Sequence, residues 1–413
     1  MNRLLYSLVL YLLLPLALFH LIWRARKQPA YLEHVGERFG MFAGGPSSRV
    51  IWIHAVSVGE TRAAEPLVKA LQMRHPDHPI LLTHGTPTGR QTGIELYGDR
   101  VERCYLPYDF GWAMKRFLRH FRPVVGIFME TEIWPNLIEF SARSLVPIYL
   151  VNARMSKKSE RGYRRFGALT RDALSKLSGI GAQTDRDAQR LAGLGAANVS
   201  VTGNIKFDRD APAEMLVLGA TLRGLFGTRP VFLAASTREG EEALILDALA
   251  DVKTADLLTV IVPRHPQRFD EVTALAKLRG YQTQRRSENR RVAADTRIVI
   301  GDSMGEMFAY FAACDIAFVG GSLLPLGGQN LLEACAVGCP VLVGPHTFNF
   351  EDATNGAIEA GAAVRIANAS ELVKAVDRLM ADAIQRAAMS QAGKNFTSTH
   401  RGATQKTLAL LGW

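Results

Sequence analysis

Short apolar runs recur along the chain, each followed by a longer stretch whose apolar positions fall at helical spacing. In the first half, Val50–Ala55, Pro79–Thr83, Val124–Glu130, Pro147–Val151 and Gly179–Gln183 predict strands, with helices at Ala63–Arg74, Gly111–Phe121 and around Leu191–Leu194. A second series of strand-length runs begins at Val231–Ala235 and continues through Leu258–Val262, Arg297–Ile300, Ile316–Val319 and Val341–Val343. Such alternation predicts an α/β fold of parallel units: two Rossmann-like domains in series, facing a central cleft. The expected division is residues 29–207 and 208–413, with a linker at 208–213 and a final helix near Ala403–Leu411 that is a candidate to pack back onto the first domain.

Ahead of both series, Leu4–Trp23 runs for 20 residues without a formal charge, about the length that crosses a bilayer. Tyr6, Tyr11 and Trp23 are placed to sit at an interface, and Arg24, Arg26 and Lys27 follow the run. Residues 1–28 are therefore read as an uncleaved anchor, spanning the membrane or lying at its surface, with the body of the chain on the cytoplasmic side. No small-residue cleavage site of the signal-peptide kind follows the run.

The stretch from Val319 to Pro345 joins a strand, a glycine-rich loop, a short helix and a second strand. Gly320-Gly321 and Gly327-Gly328 let the backbone take positive φ and approach a ligand closely. Asn330 is the expected N-cap, Glu333 falls in the first helical turn where its carboxylate can accept from sugar hydroxyls, and Gly338 ends the helix. The same pattern also describes an ordinary turn at a sheet edge.

At 413 residues, two domains are the natural division, and 48% apolar with 21% charged residues is a globular composition. The net charge of +10 points to an anionic partner: nucleic acid, anionic lipid or a phosphorylated substrate. Residues 152–171 carry seven of the cations against Glu160, and no nucleic-acid motif with interleaved aromatics accompanies them. Cys104, Cys314, Cys335 and Cys339 lie in or beside apolar runs without histidines at zinc spacing, and read as thiols of a reducing compartment.

In open α/β sheets, ligands bind beyond the carboxyl ends of the strands, so polar residues that follow apolar runs are the candidates. Glu60 follows the first run beside Gly59, and a carboxylate there serves as a general base if burial raises its pKa, or as an ordinary helix-start residue. Glu130 and Glu132 end another run, where alternation places both on one side of an extended segment. Lys206 precedes the linker and can balance developing negative charge. In the second half Ser236-Thr237-Arg238, Arg264-His265 and Met304-Gly305-Glu306 follow successive runs, offering hydroxyls, a guanidinium and helix N-termini to a phosphate. The two Asp-Arg-Asp triplets, at 185–187 and 208–210, do not directly end apolar runs, and no metal is expected.

Taken in order, these residues resemble the Kdo (3-deoxy-D-manno-octulosonic acid) transferases of lipopolysaccharide assembly, membrane-associated GT-B glycosyltransferases. The resemblance runs through Gly36 to Gly40, Ser57 to Thr61, Thr86 to Gly89, Leu106 to Asp109, Met129 to Asn136, Asn152 to Arg154, Gly203 to Asp208, Pro263 to Pro266, Gly301 to Glu306 and Gly344 to Phe350. By position it implies Glu60 as proton acceptor, Glu130 and Lys206 as transition-state stabilisers, and Arg264, His265, Met304, Gly305, Glu306, Asn330, Leu331, Leu332 and Glu333 as residues that bind the CMP-sugar. The implied partners are CMP-Kdo, a phosphorylated lipid A precursor and the anionic inner membrane, with no metal, no other cofactor and no nucleic acid. Gln329 and Leu331 stand where the family usually has His and Pro, and a glutamine donates a hydrogen bond but does not titrate. Two other readings stay open: a sugar-nucleotide 2-epimerase of the same architecture, and a tethered lipid-binding protein without catalysis.

Overall fold

The computed structural model describes residues 2–26, 28–44 and 49–412, so Lys27, part of the basic flank expected beside the anchor, lies outside the described residues. The chain forms two compact units. One runs to Asp208 and takes the chain up again from Arg401; the other is Arg209–His400. The final helix, Ala403–Leu411, buries Leu408 and Leu411 in the core of the first unit.

Among the described residues the first unit holds strands β1 (Ile51–His54), β2 (Ile80–His84), β3 (Glu102–Tyr105), β4 (Val125–Met129), β5 (Ile148–Ala153), β6 (Gly179–Ala182) and β7 (Val199–Val201). Their order across the sheet is β3-β2-β1-β4-β5-β6-β7, and neighbouring strands pair in parallel. The central strands β1, β2 and β4 are buried along their whole length, as parallel strands covered on both faces must be. One apolar cluster, centred on Trp52, Phe117 and Phe128, fills one face, and another, with Ile53, Leu67 and Ile127, fills the other.

The second unit repeats the plan with β8 (Val231–Thr237), β9 (Leu258–Pro263), β10 (Thr283–Arg285), β11 (Ile298–Ile300), β12 (Ile316–Val319), β13 (Val341–Val343) and β14 (Ala363–Arg365), in the order β10-β11-β9-β8-β12-β13-β14, again with parallel neighbours. Each sheet has a point where the strand order reverses, between β1 and β4 in the first and between β8 and β12 in the second. Loops leaving such a pair diverge and open a crevice at the carboxyl edge, the ordinary ligand position of an open parallel sheet.

Local differences from the sequence expectation have physical causes. The helix expected over Ala63–Arg74 is two helices, Val58–Ala63 and Glu65–Arg74, because Pro66 has no amide hydrogen and starts the second one. The helix of the glycine-rich stretch starts one residue later than expected, at Leu332 with Leu331 as its cap, although the Asn330 side chain still accepts from the Leu332 amide at 3.1 Å. Of the four loop glycines, Gly321, Gly327 and Gly328 take positive φ, whereas Gly320 does not. Its lack of a side chain serves a close approach: a Cβ there would lie 2.7 Å from the Ser236 carbonyl oxygen and the Thr237 Cα. Asp185 opens a capped helix in which Asp187 bonds Thr184 and the Met155 amide. The four cysteines are free thiols, buried except for the half-buried Cys314.

Candidate active site

In the first unit the reversal point gathers acidic residues. Ser57 caps the helix Val58–Ala63 and thereby places Glu60 in its first turn, directly after β1. The carboxylate is buried, accepts from the Val56 amide at 2.6 Å through one oxygen and from the Ser57 hydroxyl at 2.9 Å through the other. Burial, and next the charge of Glu130, raise its pKa to about 7, the donors from Val56 and Ser57 pulling the other way. Half-ionised near neutrality, this group can both take and hold a proton, which a surface glutamate cannot.

Glu130 leaves β4, the strand paired with β1. Its backbone takes φ 60°, the left-handed region, so Glu130 and Glu132 do not share one side of an extended segment as alternation predicts. The turn separates their roles. Glu130 ion-pairs with Lys206 at 3.3 Å, while Glu132 accepts from the Trp134 indole at 2.6 Å, its pKa raised mainly by burial. Lys206 is held from below: the Asn152 side chain accepts from the Ile205 amide at 3.2 Å, Asn204 accepts from the Lys206 amide at 3.0 Å, and Asp208 accepts from Gly402 and Thr404. Glu60, Glu130 and Lys206 thus come together at one edge of one sheet. His54 and His84, buried beneath them and pushed down to about 3 and about 4 chiefly by burial, are neutral scaffolding.

In the second unit the polar loops follow β8, β9, β11 and β12. Arg264 leaves β9 with its amide bonded to the Thr237 carbonyl at 2.9 Å. His265 sits among Arg238, Arg264 and Arg268, and burial followed by those three cations lowers its pKa, so it stays neutral in a basic environment suited to an anion. Met304 is exposed, Gly305 takes φ 81°, and Glu306 accepts from Ser303 at 2.7 Å and pairs with Arg286 at 3.3 Å. Leu331 and Leu332 are buried, so they offer backbone rather than side chains. Glu333 has one oxygen engaged by Arg209 at 2.6 Å and by Asn330 at 3.5 Å.

Sequence reasoning missed the residue that shapes this half. Glu241, fully buried, accepts from the amides of Arg238, Gly321, Ser322 and Leu323 at 2.6 to 3.0 Å. A carboxylate that binds four amides fixes the loop after β8 to the loop after β12 across the reversal point. The Glu241-Glu242 pair directly after Gly240 was the available signal, and in sequence it reads only as a helix start.

Two doubly wound parallel sheets, one carrying a buried titrating carboxylate beside an ion pair and the other a basic, glycine-rich edge, are the architecture of a GT-B glycosyltransferase. A solved UDP-GlcNAc 2-epimerase from Neisseria meningitidis has the same fold, with a TM-score of 0.59 over 88% of this chain and 99% of that one, at 14% identity. Residues 33–209 match the family described as 3-Deoxy-D-manno-octulosonic-acid transferase (kdotransferase), and residues 233–396 match Glycosyl transferases group 1. The chain is 44% identical to the 3-deoxy-D-manno-octulosonic acid transferase of Bordetella pertussis over 100% of both chains, and 38% identical to that of Haemophilus influenzae over 100% of this chain and 98% of the other. It belongs to the Kdo transferase family.

Proposed function

We propose that this enzyme transfers Kdo from CMP-Kdo to a phosphorylated lipid A precursor (lipid IVA), with inversion at the anomeric carbon, on the cytoplasmic face of the inner membrane. The observation that carries the mechanism is Glu60, a buried carboxylate raised to about 7 beside the Glu130–Lys206 pair. The acceptor hydroxyl attacks the anomeric carbon and gives its proton to Glu60. The bond between that carbon and the phosphate oxygen breaks, and CMP leaves with the electron pair. Glu130 holds Lys206 in place, and the ammonium balances the carboxylate of Kdo and the departing phosphate. Glu130 also raises the affinity of Glu60 for the proton it must take.

The second unit holds the nucleotide in this reading. Arg264, with His265 beside it, meets the phosphate, and the amides around Gly305 and Leu331–Leu332 bind the donor, with Glu306, Asn330 and Glu333 orienting its hydroxyls and Met304 covering it. Positive charge comes from side chains, and no metal or other cofactor is assigned a role. The long apolar helix of residues 3–25 supplies the membrane attachment.

The test is transfer from CMP-Kdo, generated in situ, to a tetra-acylated lipid A precursor in detergent, read by product mass. A product heavier by one or more Kdo residues supports the reading and counts the additions. Lipid-independent turnover of a UDP-sugar, with no Kdo product, overturns it in favour of an epimerase. Lipid binding without any turnover leaves a non-catalytic tether.

A further inference from the structure

The N-terminal helix, Arg3–Ala25, is 23 residues long, or about 34 Å at 1.5 Å per residue, enough to cross a bilayer. Its exposure pattern describes another placement. Arg3, Tyr6, Ser7, Leu10, Leu14 and Ala17 are half-buried and Leu21 and Ala25 buried, a single stripe at helical spacing along the whole element, while the remaining positions, Leu5, Val9, Leu12, Leu16, Phe19 and Trp23 among them, are exposed. A helix that leaves its domain to cross a membrane is exposed all round beyond its base. This one keeps its half-shielded stripe beyond its base, and residues 3 to 11 touch the first unit.

Both ends are fastened. At the start, the Tyr6 hydroxyl donates to Asp109 at 3.0 Å, the Ser7 hydroxyl bonds Asn136 at 3.1 Å and Arg3 pairs with Glu139 at 3.5 Å. Asp109 is the centre of this clasp, since it also accepts from the Asn136 and Leu137 amides at 3.0 and 2.7 Å. The Tyr11 ring stacks on Phe110 at 5.2 Å. At the far end Leu21 and Ala25 pack with Tyr31 and Val35, and Arg24 lies over the Tyr31 ring.

We propose that this helix lies flat at the headgroup boundary of an anionic lipid bilayer, its exposed apolar stripe in the acyl region, and does not span the membrane. The inference rests on the membrane attachment proposed above. Spanning would carry Arg3, Tyr6 and Ser7 to the opposite leaflet and break every bond the helix makes to the clasp, leaving Asp109 and Asn136 buried without those partners. Lying flat keeps the clasp and buries Leu12, Leu16 and Phe19, each more than 60% exposed in the free protein. Charge agrees: Arg3, Lys115 and Arg143 surround the Phe140 ring within 6 Å beside the clasp. The helix Lys157–Arg165 of the same unit adds the exposed cations Lys157, Lys158, Arg161, Arg164 and Arg165. Asn136 lies in the first turn of the helix Pro135–Arg143, which follows the loop starting at Glu130, so the clasp sits one short loop away from the turn that carries the Glu130–Lys206 pair.

The experiment places a cysteine at the start of the helix in the full-length chain, Asn2→Cys, and exposes sealed right-side-out and inverted inner-membrane vesicles to an impermeant maleimide. The unsubstituted chain, whose thiols are buried except for the half-buried Cys314, sets the background. A flat helix gives labelling above background in inverted vesicles only. Labelling in right-side-out vesicles means the helix spans, and labelling in neither puts residue 2 in the hydrocarbon; either result overturns the proposal. Flotation of the unsubstituted protein with vesicles of phosphatidylethanolamine and phosphatidylglycerol tests the attachment separately. Binding that weakens at least tenfold at high salt is expected, and absence of binding sinks the attachment itself, whatever the labelling shows.

Discussion

Replacing Glu60 by glutamine separates two properties that the site holds in opposition. In the wild type the Glu60 pKa lies at about 7 against an ordinary 4.5, which at 1.36 kcal/mol per pH unit is about 3 kcal/mol of preference for the protonated form. The folded chain therefore binds this proton more tightly than the unfolded chain. The stability so contributed is present in full below pH 4.5 and is lost as pH rises through 7. At pH 8 the folded protein carries the whole penalty of a buried, charged carboxylate next to Glu130. Glutamine keeps the shape and the bond from the Val56 amide, and removes the charge. Glu60→Gln should thus melt several degrees higher than wild type at pH 8 and nearly with it at pH 4.5, as followed by calorimetry. Transfer should fall by about 10²–10⁴-fold, the usual worth of a positioned general base. The wild-type rate should rise with pH to a plateau above about 7, since only ionised Glu60 accepts a proton, and the variant should show no such inflection. A folded Glu60→Gln that transfers Kdo within about tenfold of wild type, or a wild-type inflection near 4.5, would refute the reasoning.

Three further outcomes follow from neighbouring contacts. Glu130→Gln removes the charge that helps raise Glu60, so the inflection of the pH–rate profile should move to lower pH while the plateau drops; an unmoved inflection would mean the two carboxylates do not sense one another. Glu241→Ala leaves four buried amides without their acceptor and should cost on the order of 3 kcal/mol or more, with a raised KM for the nucleotide sugar, and unchanged melting would remove its role as organiser of the two loops. Gly320→Ala forces a methyl to within 2.7 Å of backbone at the end of β8 and should cost about 1–3 kcal/mol in thermal melts of the second unit; wild-type stability there would show that the strands part freely.

The strand series was legible because each interior strand is buried on both faces and must be an apolar run. The four strands that the sequence left unseen, β3, β7, β10 and β14, are the four edges of the two sheets. Edge strands pair on one side only and meet water on the other, so Glu102–Tyr105 opens on two charged residues and Thr283–Arg285 is polar throughout, and neither stands out from a loop. At the site, Glu60, Lys206 and Arg264 were visible as polar residues ending apolar runs. The left-handed turn at Glu130 was not, because nothing local requires it: the turn exists to aim one carboxylate at Lys206 and leave the other with Trp134. Glu241 was hidden for the same reason, three of its four partners lying some eighty residues downstream.

Asp208 joins two distant points of the chain, its carboxylate receiving the Gly402 amide at 2.7 Å and the Thr404 amide. The second unit is therefore an insertion, leaving the first after Asp208 and handing the chain back at Arg401. On the ribosome the order of events is then fixed. The first sheet emerges early but stays without Leu408 and Leu411, and hence with an open core, until the whole second unit has been made. A nascent chain stalled near residue 400 would carry a finished second unit beside an unfinished first one. Lys206, fixed through Asp208, is among the last side chains to be set, so the unit that carries Glu60 is completed only when the chain is nearly whole.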